Sequence, residues 1–263
     1  MNVGGRTVLL TGATGGLGHA IARRLAAAGA RLVLSGRRGD VLADLAGEIG
    51  GEVAVADLSD PEAARALAEE HTDVDIFVAN AGLPGSGRLQ TYELEQIERA
   101  LLVNLHSPII ITHVLAPHMV ARGAGHIVFM SSLSGKAATA GSSLYNATKF
   151  GLRGFGGAMR AELHGTGVGV STIFPGFIRD AGMFADANVK LPFGVGTKTP
   201  EAVAEATLRA IERNRGEIDV APIGLKVGTL FGGVAPETAA RVTRKSGGAD
   251  VAMQFEVGQV DKR

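Results

Sequence analysis

The 263-residue sequence predicts an α/β protein built on a doubly wound parallel sheet of seven strands, with helices on both faces. Three observations carry that expectation. Short β-rich apolar runs alternate with longer helical stretches along most of the chain. Most of the runs are almost continuously apolar instead of alternating with polar residues, which marks strands buried on both faces of a parallel sheet. A glycine-rich turn follows the first run and opens the first helix.

The strand candidates are 7–10, 31–34, 52–56, 75–79, 126–130, 168–174 and 218–221. Between them lie helical patterns over 17–28, 41–49, 61–70, 94–121, 144–164 and 200–213. Pro61 and Pro200 suit the first helical turn, where a missing N–H costs nothing. Asp60 and Thr199 immediately before them are expected caps. No linker, repeat or low-complexity tract interrupts the alternation, so 1–263 is expected to be one domain. Two stretches break the rhythm. Residues 177–199 are rich in Gly, Pro and Phe and suggest a mobile segment over a site. From about 225 to 263 the periodicity weakens, and an irregular tail is expected.

Composition narrows the partners. Formal net charge is +0 and the pI about 7.1, so neither a nucleic-acid partner nor a membrane surface is expected. The chain has no cysteine, which excludes disulfides, thiolate catalysis and cysteine metal sites. The apolar stretch 101–120 is interrupted by Asn104, His106, Pro108, His113 and His118 and makes a poor membrane span. Those histidines lack a carboxylate or cysteine at ligand spacing, so no metal site is expected. With no charged leader at the start, a soluble cytoplasmic protein is the expectation.

Gly12, Gly16 and Gly18, with Thr14 and Leu17 between them, form a G-x-x-x-G-x-G turn between the first strand and first helix. Glycines there permit a tight turn and close approach of a ligand, and the helix N-terminus offers free N–H groups to a pyrophosphate. The second strand runs into Gly36-Arg37-Arg38. An acid at this place would hold the adenosine ribose hydroxyls, whereas Arg37 suits a 2′-phosphate. NADP(H) is therefore favoured, with NAD(H) as the alternative cofactor. Farther along, Tyr145 and Lys149 stand four residues apart and share one helix face. A nearby ammonium favours phenolate, so Tyr145 is expected below the usual tyrosine value of ~10, as a proton donor and acceptor.

With these motifs in place, the chain resembles the compact, single-domain short-chain dehydrogenase/reductase family over about residues 6–222. The motifs occur in that family's order. Asp57-Leu58 follows the third strand, Asn80-Ala81-Gly82 the fourth, Asn104 lies on the next helix, and Ser132 stands thirteen positions before Tyr145. Pro175-Gly176 follows the sixth strand, with Ile178 just beyond.

The resemblance implies a Rossmann-like fold and hydride transfer between a nicotinamide and a ketone, aldehyde or secondary alcohol. It implies Tyr145 as general acid/base and Lys149 as the group that lowers its pKa and holds the nicotinamide ribose. Ser132 would polarise the substrate oxygen, and Asn104 would hold a relay water. Asp57 and Leu58 would hold adenine, while Asn80, Ala81, Gly82, Pro175, Gly176 and Ile178 would line the cofactor. The family's usual threonine is replaced by Asp180, whose role is not carried over.

The family also implies a homodimer or homotetramer, with the 94–121 and 144–164 helices at one interface and Gly151, Gly154, Gly156, Gly157 and Ala158 permitting close packing. Phe177, Met183, Phe184, Leu191, Phe193 and Val195 suggest an apolar small-molecule substrate. Two other readings remain: a catalytically silent nucleotide sensor, and a sugar-nucleotide epimerase or dehydratase.

Overall fold

The computed structural model describes residues 1–187, 189, 191, 195–245 and 254–259. Seven strands form one parallel sheet: β1 Thr7–Thr11, β2 Arg31–Gly36, β3 Glu52–Val55, β4 Ile76–Ala79, β5 Gly125–Met130, β6 Val168–Pro175 and β7 Glu217–Val220. Their spatial order is β3-β2-β1-β4-β5-β6-β7. The order reverses between β1 and β4. Sheets of this kind open a ligand crevice at the carboxyl ends of the strands beside such a reversal.

Alternate strand residues feed two cores. Val8, Leu10, Leu34, Val78, Val128 and Ile173 pack under α1 (Gly16–Ala27), α2 (Gly39–Ile49) and α8 (Pro200–Glu212). Leu9, Val33, Phe77, Ile127, Phe129 and Val170 pack under α3 (Pro61–Glu70), α5 (Ser107–Ala121) and α6 (Ser143–Glu162). The near-continuous apolar runs follow from this two-sided burial. The edge strands are exceptions: β3 leaves Val53 and Val55 exposed, and β7 carries exposed Glu217 and half-buried Asp219. The expected caps are present. The Asp60 carboxylate accepts from Glu62 N at 2.9 Å and Thr199 Oγ1 from Ala202 N at 3.3 Å.

The long helical pattern 94–121 is α4 (Leu94–Leu101), a π-helical turn Leu102–His106, and α5. By length and composition this helix could cross a membrane, yet half of its apolar window is buried inside the fold. On α6, Gly156 faces inward, where a Cβ would lie 2.5 Å from Thr172 Oγ1, so it is not available for the expected outer packing. Gly154 and Gly157 face open space.

The tail departs from expectation. Instead of an irregular stretch, Ile223–Val234 forms α9, Pro236–Lys245 forms α10, and 254–258 is again helical. Helix α9 was hard to foresee because it lacks an amphipathic period. Leu225 packs inward on Leu133, Phe174 and Ala221, while Ile223, Val227, Leu230 and Val234 are equally apolar and exposed. In the 177–199 segment, Met183–Asp186 forms α7, and an Ile178–Lys198 bridge ties its two ends together. Phe193 lies outside the described residues.

Candidate active site

The glycine turn sits at the β1/β4 reversal. Gly12 has φ +66°, and a Cβ there would lie 2.6 Å from Ala81 Cα. A Cβ on Gly18 would lie 2.2 Å from the Gly12 carbonyl. Both positions are therefore closed to any side chain. Asn80 clasps the turn, its Nδ2 donating to Thr11 O at 3.2 Å and Gly12 O at 3.1 Å. Thr11 Oγ1 accepts in return from Asn80 N at 3.2 Å and Ala81 N at 3.3 Å. Thr11 was not among the expected site residues, although its place at the strand end in the T-G-x-x-x-G-x-G run was the available signal.

Helix α1 begins after Gly15 with no side-chain cap and no acidic residue in its first turn. Its first N–H groups, including those of Gly16, Leu17 and Gly18, have no intrahelical acceptor and suit an anion. Two guanidinium groups stand nearby. Arg38 Nη2 donates to the carbonyl of Thr14. Arg37 Nη1 lies 3.8 Å from Asp57 Oδ2, and both side chains are about half exposed. Burial pushes the Asp57 carboxyl up, but hydrogen bonds from Ser59 and the charges of Arg37 and Arg99 bring it below its usual value. Leu58 is buried, and its carbonyl accepts from Ser107 Oγ at 2.7 Å. Among the described residues, Ser35 Oγ and His19 Nε2 are buried without a partner. The glycine cradle, the uncapped helix end and the adjacent guanidiniums fit a phosphorylated dinucleotide.

The second half of the site gathers at the ends of β4, β5 and β6. The Tyr145 phenol stands beside Ser132, whose hydroxyl favours the phenolate. Ser132 Oγ also accepts from Ser134 N at 3.2 Å and donates to Pro175 O at 3.4 Å. Lys149 lies one turn along α6, buried, with Nζ donating to Met130 O at 2.9 Å and standing 5.5 Å from the Tyr145 ring centre. Gly135 lets the loop after β5 press on α6, since a Cβ there would lie 2.6 Å from Lys149 O. Gly85 does the same from the loop after β4, at 2.9 Å from Tyr145 N. Asn146, also not foreseen, ties residues 134–139 to α6 by donating to Ser134 O at 2.6 Å and accepting from Thr139 N at 3.2 Å.

One expectation changes here. Tyr145 is not below the ordinary value; burial pushes it up to about 12, and the Ser132 hydroxyl offsets only part of that. Burial likewise brings Lys149 down to about 8. Desolvation by burial governs both groups, and a spacing of four residues does not reveal it. Asn104 lies on the π-helical turn, where its side chain clasps Leu83. Its Oδ1 accepts from Leu83 N at 2.6 Å and its Nδ2 donates to Leu83 O at 2.9 Å. Gly82 sits between the two: a Cβ there would be 3.4 Å from Asn104 Oδ1, 3.7 Å from Lys149 Nζ and 3.7 Å from Met183 Cε.

Past Pro175 the chain crosses the crevice. Gly176 packs on Leu133 and Ala221, and Ile178 is buried. Asp180 takes φ +70° and pairs with Arg179 at 3.3 Å. Ala181 then lies on the glycine turn, where a Cβ on Gly16 would come within 2.4 Å of its methyl. The nucleotide-type turn and the Ser132–Tyr145–Lys149 cluster thus share one edge of the sheet. A separate cavity of about 280 Å³ lies beside Arg160, His164 and Asn214, where Arg160 already donates to Val170 O and Asn214, away from this chemistry.

Comparison with known proteins identifies the family. The family model for short chain dehydrogenase matches residues 6–191. The chain belongs to this family, whose members are nicotinamide-dependent oxidoreductases acting on CH–OH and C=O groups. Among its relatives, "Ketoacyl reductase HetN" of Nostoc sp. is 36% identical over 94% of this chain and 91% of its own. "NADP-dependent 3-hydroxy acid dehydrogenase YdfG" of Escherichia coli is 31% identical over 85% and 92%. Among solved structures, a short-chain dehydrogenase from Sphingobium yanoikuyae in complex with NADPH superposes with a TM-score of 0.74 at 27% identity, covering 94% of this chain and 96% of that one.

Proposed function

We propose that the protein is an NADP(H)-dependent carbonyl reductase that converts an apolar ketone or aldehyde to the alcohol. The observation that carries this reading is the convergence of Ser132, Tyr145 and Lys149 beside a glycine turn flanked by Arg37 and Arg38. When bound, the nicotinamide supplies or accepts the hydride.

The cofactor's pyrophosphate would lie on the α1 N-terminus against Gly12, Thr14, Gly16, Leu17 and Gly18. Asp57 and Leu58 would serve the adenine end, with Arg37 and Arg38 on the 2′-phosphate. Asn80, Ala81, Gly82, Pro175, Gly176 and Ile178 would form the walls along the remainder. The NADP-dependent relative and the NADPH-bound neighbour support this cofactor preference.

Ser132 Oγ and the Tyr145 hydroxyl would both donate to the substrate oxygen. At neutral pH the Tyr145 phenol holds its proton, so reduction finds its acid in place. Proton delivery from Tyr145 to the developing alkoxide completes the alcohol. Lys149 would remain largely an ammonium near neutral pH and steady the phenolate left behind. Asn104 acts as a positioning residue that fixes Leu83 and the loop after β4.

We place the protein in the cytoplasm as a homodimer or homotetramer that uses the open Gly154 and Gly157 face of α6. Tyr145→Phe tests the catalytic assignment. Turnover is expected to fall at least a hundredfold with NADPH affinity nearly unchanged; undiminished turnover would overturn it.

A further inference from the structure

Residues 254–259, close to the end of the chain, span the mouth of the crevice and touch both of its walls. On one wall, Arg88 stands three residues beyond Gly85, the residue seated on Tyr145. Arg88 Nε lies 3.3 Å from Glu256 Oε2, and Arg88 N donates to the same oxygen at 3.2 Å. On the other wall, Gln259 is buried and donates from Nε2 to Met183 O at 3.0 Å. Met183 is the residue whose methyl approaches Gly82 beside Lys149. Gly258 meets Ala187 so closely that a Cβ would lie 2.6 Å from its carbonyl. This is a fitted contact, with a glycine where the backbones meet and a buried amide whose Oε1 is left without a partner among the described residues.

Between these anchors, Phe255 joins two rings from the segment after β6. Its ring centre is 6.3 Å from that of Phe177, nearly parallel at 18°, and 6.1 Å from that of Phe184. Phe177 and Phe184 are 5.2 Å apart. All three rings remain part-exposed, unlike the fully buried Phe77, Phe129 and Phe174 of the core. Three adjoining rings that keep open apolar surface beside a carbonyl-reducing centre form a place for a flat or extended apolar group.

We propose that Phe255 is a specificity-determining residue, completing with Phe177 and Phe184 an aromatic wall that receives the aryl or alkyl substituent of the substrate carbonyl. Arg88 and Glu256 are positioning residues that hold it across the crevice. The proposal rests on the carbonyl-reductase reading above and names its substrate class.

The test compares wild type and Phe255→Ala, each saturated with NADPH, using acetophenone and acetone as probes. A wall that contacts the aryl group predicts that kcat/KM for acetophenone falls tenfold or more while that for acetone changes less than about twofold, with NADPH affinity unchanged. Phe255→Leu should restore most of the loss. Equal losses on both ketones, or no loss on either, would overturn the proposal. Calorimetric binding of acetophenone to the NADP⁺ complexes of Tyr145→Phe and Tyr145→Phe/Phe255→Ala gives a readout independent of turnover. Weaker binding in the double variant supports the wall, and equal binding refutes it. Failure of the catalytic reading would show separately, as retained turnover in Tyr145→Phe. Arg88→Ala should raise KM for acetophenone with kcat little changed; a fall in kcat alone would deny it the positioning role.

Discussion

Replacing Lys149 by methionine is expected to stabilise the ligand-free protein near neutral pH while removing a group the proposed chemistry needs. The buried ammonium titrates at about 8 instead of 10.5. Holding its proton inside the fold at about pH 7 therefore costs on the order of 3 kcal/mol relative to the unfolded chain. Methionine is of similar length and carries no charge, so it removes that cost. It also strips Met130 O of its 2.9 Å donor, which returns about 1–2 kcal/mol. The expected net gain near pH 7 is about 1–2 kcal/mol.

The pH dependence makes the prediction specific. A lysine depressed by burial loses its proton in the native state first. Between about 8 and 10.5 the unfolded chain holds more protons, and wild-type stability rises with pH. The methionine variant lacks that rise, so its advantage should shrink by about 2–3 kcal/mol between about pH 7 and pH 10 and reverse sign. The raised value of Tyr145 lowers stability only above about pH 10, in both proteins alike. Urea denaturation of the ligand-free proteins, followed by far-ultraviolet circular dichroism at the two pH values, measures the difference. A gap between wild type and variant that is the same at both would refute the claim that burial of Lys149 stores this free energy in the site.

Three further outcomes are expected. Arg37→Ala should weaken NADPH binding about tenfold and leave NADH nearly unchanged, measured by calorimetry; equal losses would remove Arg37 from the 2′-phosphate. Gly18→Ala forces a Cβ to within 2.2 Å of Gly12 O and should cost about 1–3 kcal/mol in urea denaturation, together with most NADPH affinity. His126 is buried at 2.8 Å from Ser171 Oγ, and burial brings it down to about 3. The stability from its neutral form is complete above about pH 6.5 and drains away as pH falls toward 3, by about 3 kcal/mol at pH 4.5; denaturation of His126→Asn should show a flatter acid limb.

Much of this was legible in the chain itself, for identifiable reasons. Strands β1, β2 and β4–β6 declare themselves because two-sided burial makes them almost continuously apolar, and Asp60 and Thr199 mark helix starts with hydrogen bonds the structure contains. The glycines at 12 and 18 could be read because their positions tolerate no side chain. What escaped depends on tertiary neighbours. The direction of the Tyr145 shift depends on desolvation, which a spacing of four residues does not reveal. The Asn104–Leu83 clasp joins residues 21 apart, and the Arg38–Thr14 contact joins residues 24 apart. Helix α9 hid because both of its faces are apolar, and Phe255 because a tail with weak periodicity gives no sign of where it returns.

Transfer of label from the cofactor tests the central claim most directly. With NADPH deuterated at the transferred position of its nicotinamide and an aryl ketone, the wild-type protein should yield alcohol carrying deuterium on the carbinol carbon, and Tyr145→Phe should yield almost none while binding the cofactor normally. Unlabelled alcohol from the wild type, or full deuteride transfer by Tyr145→Phe, would contradict the assignment of this site.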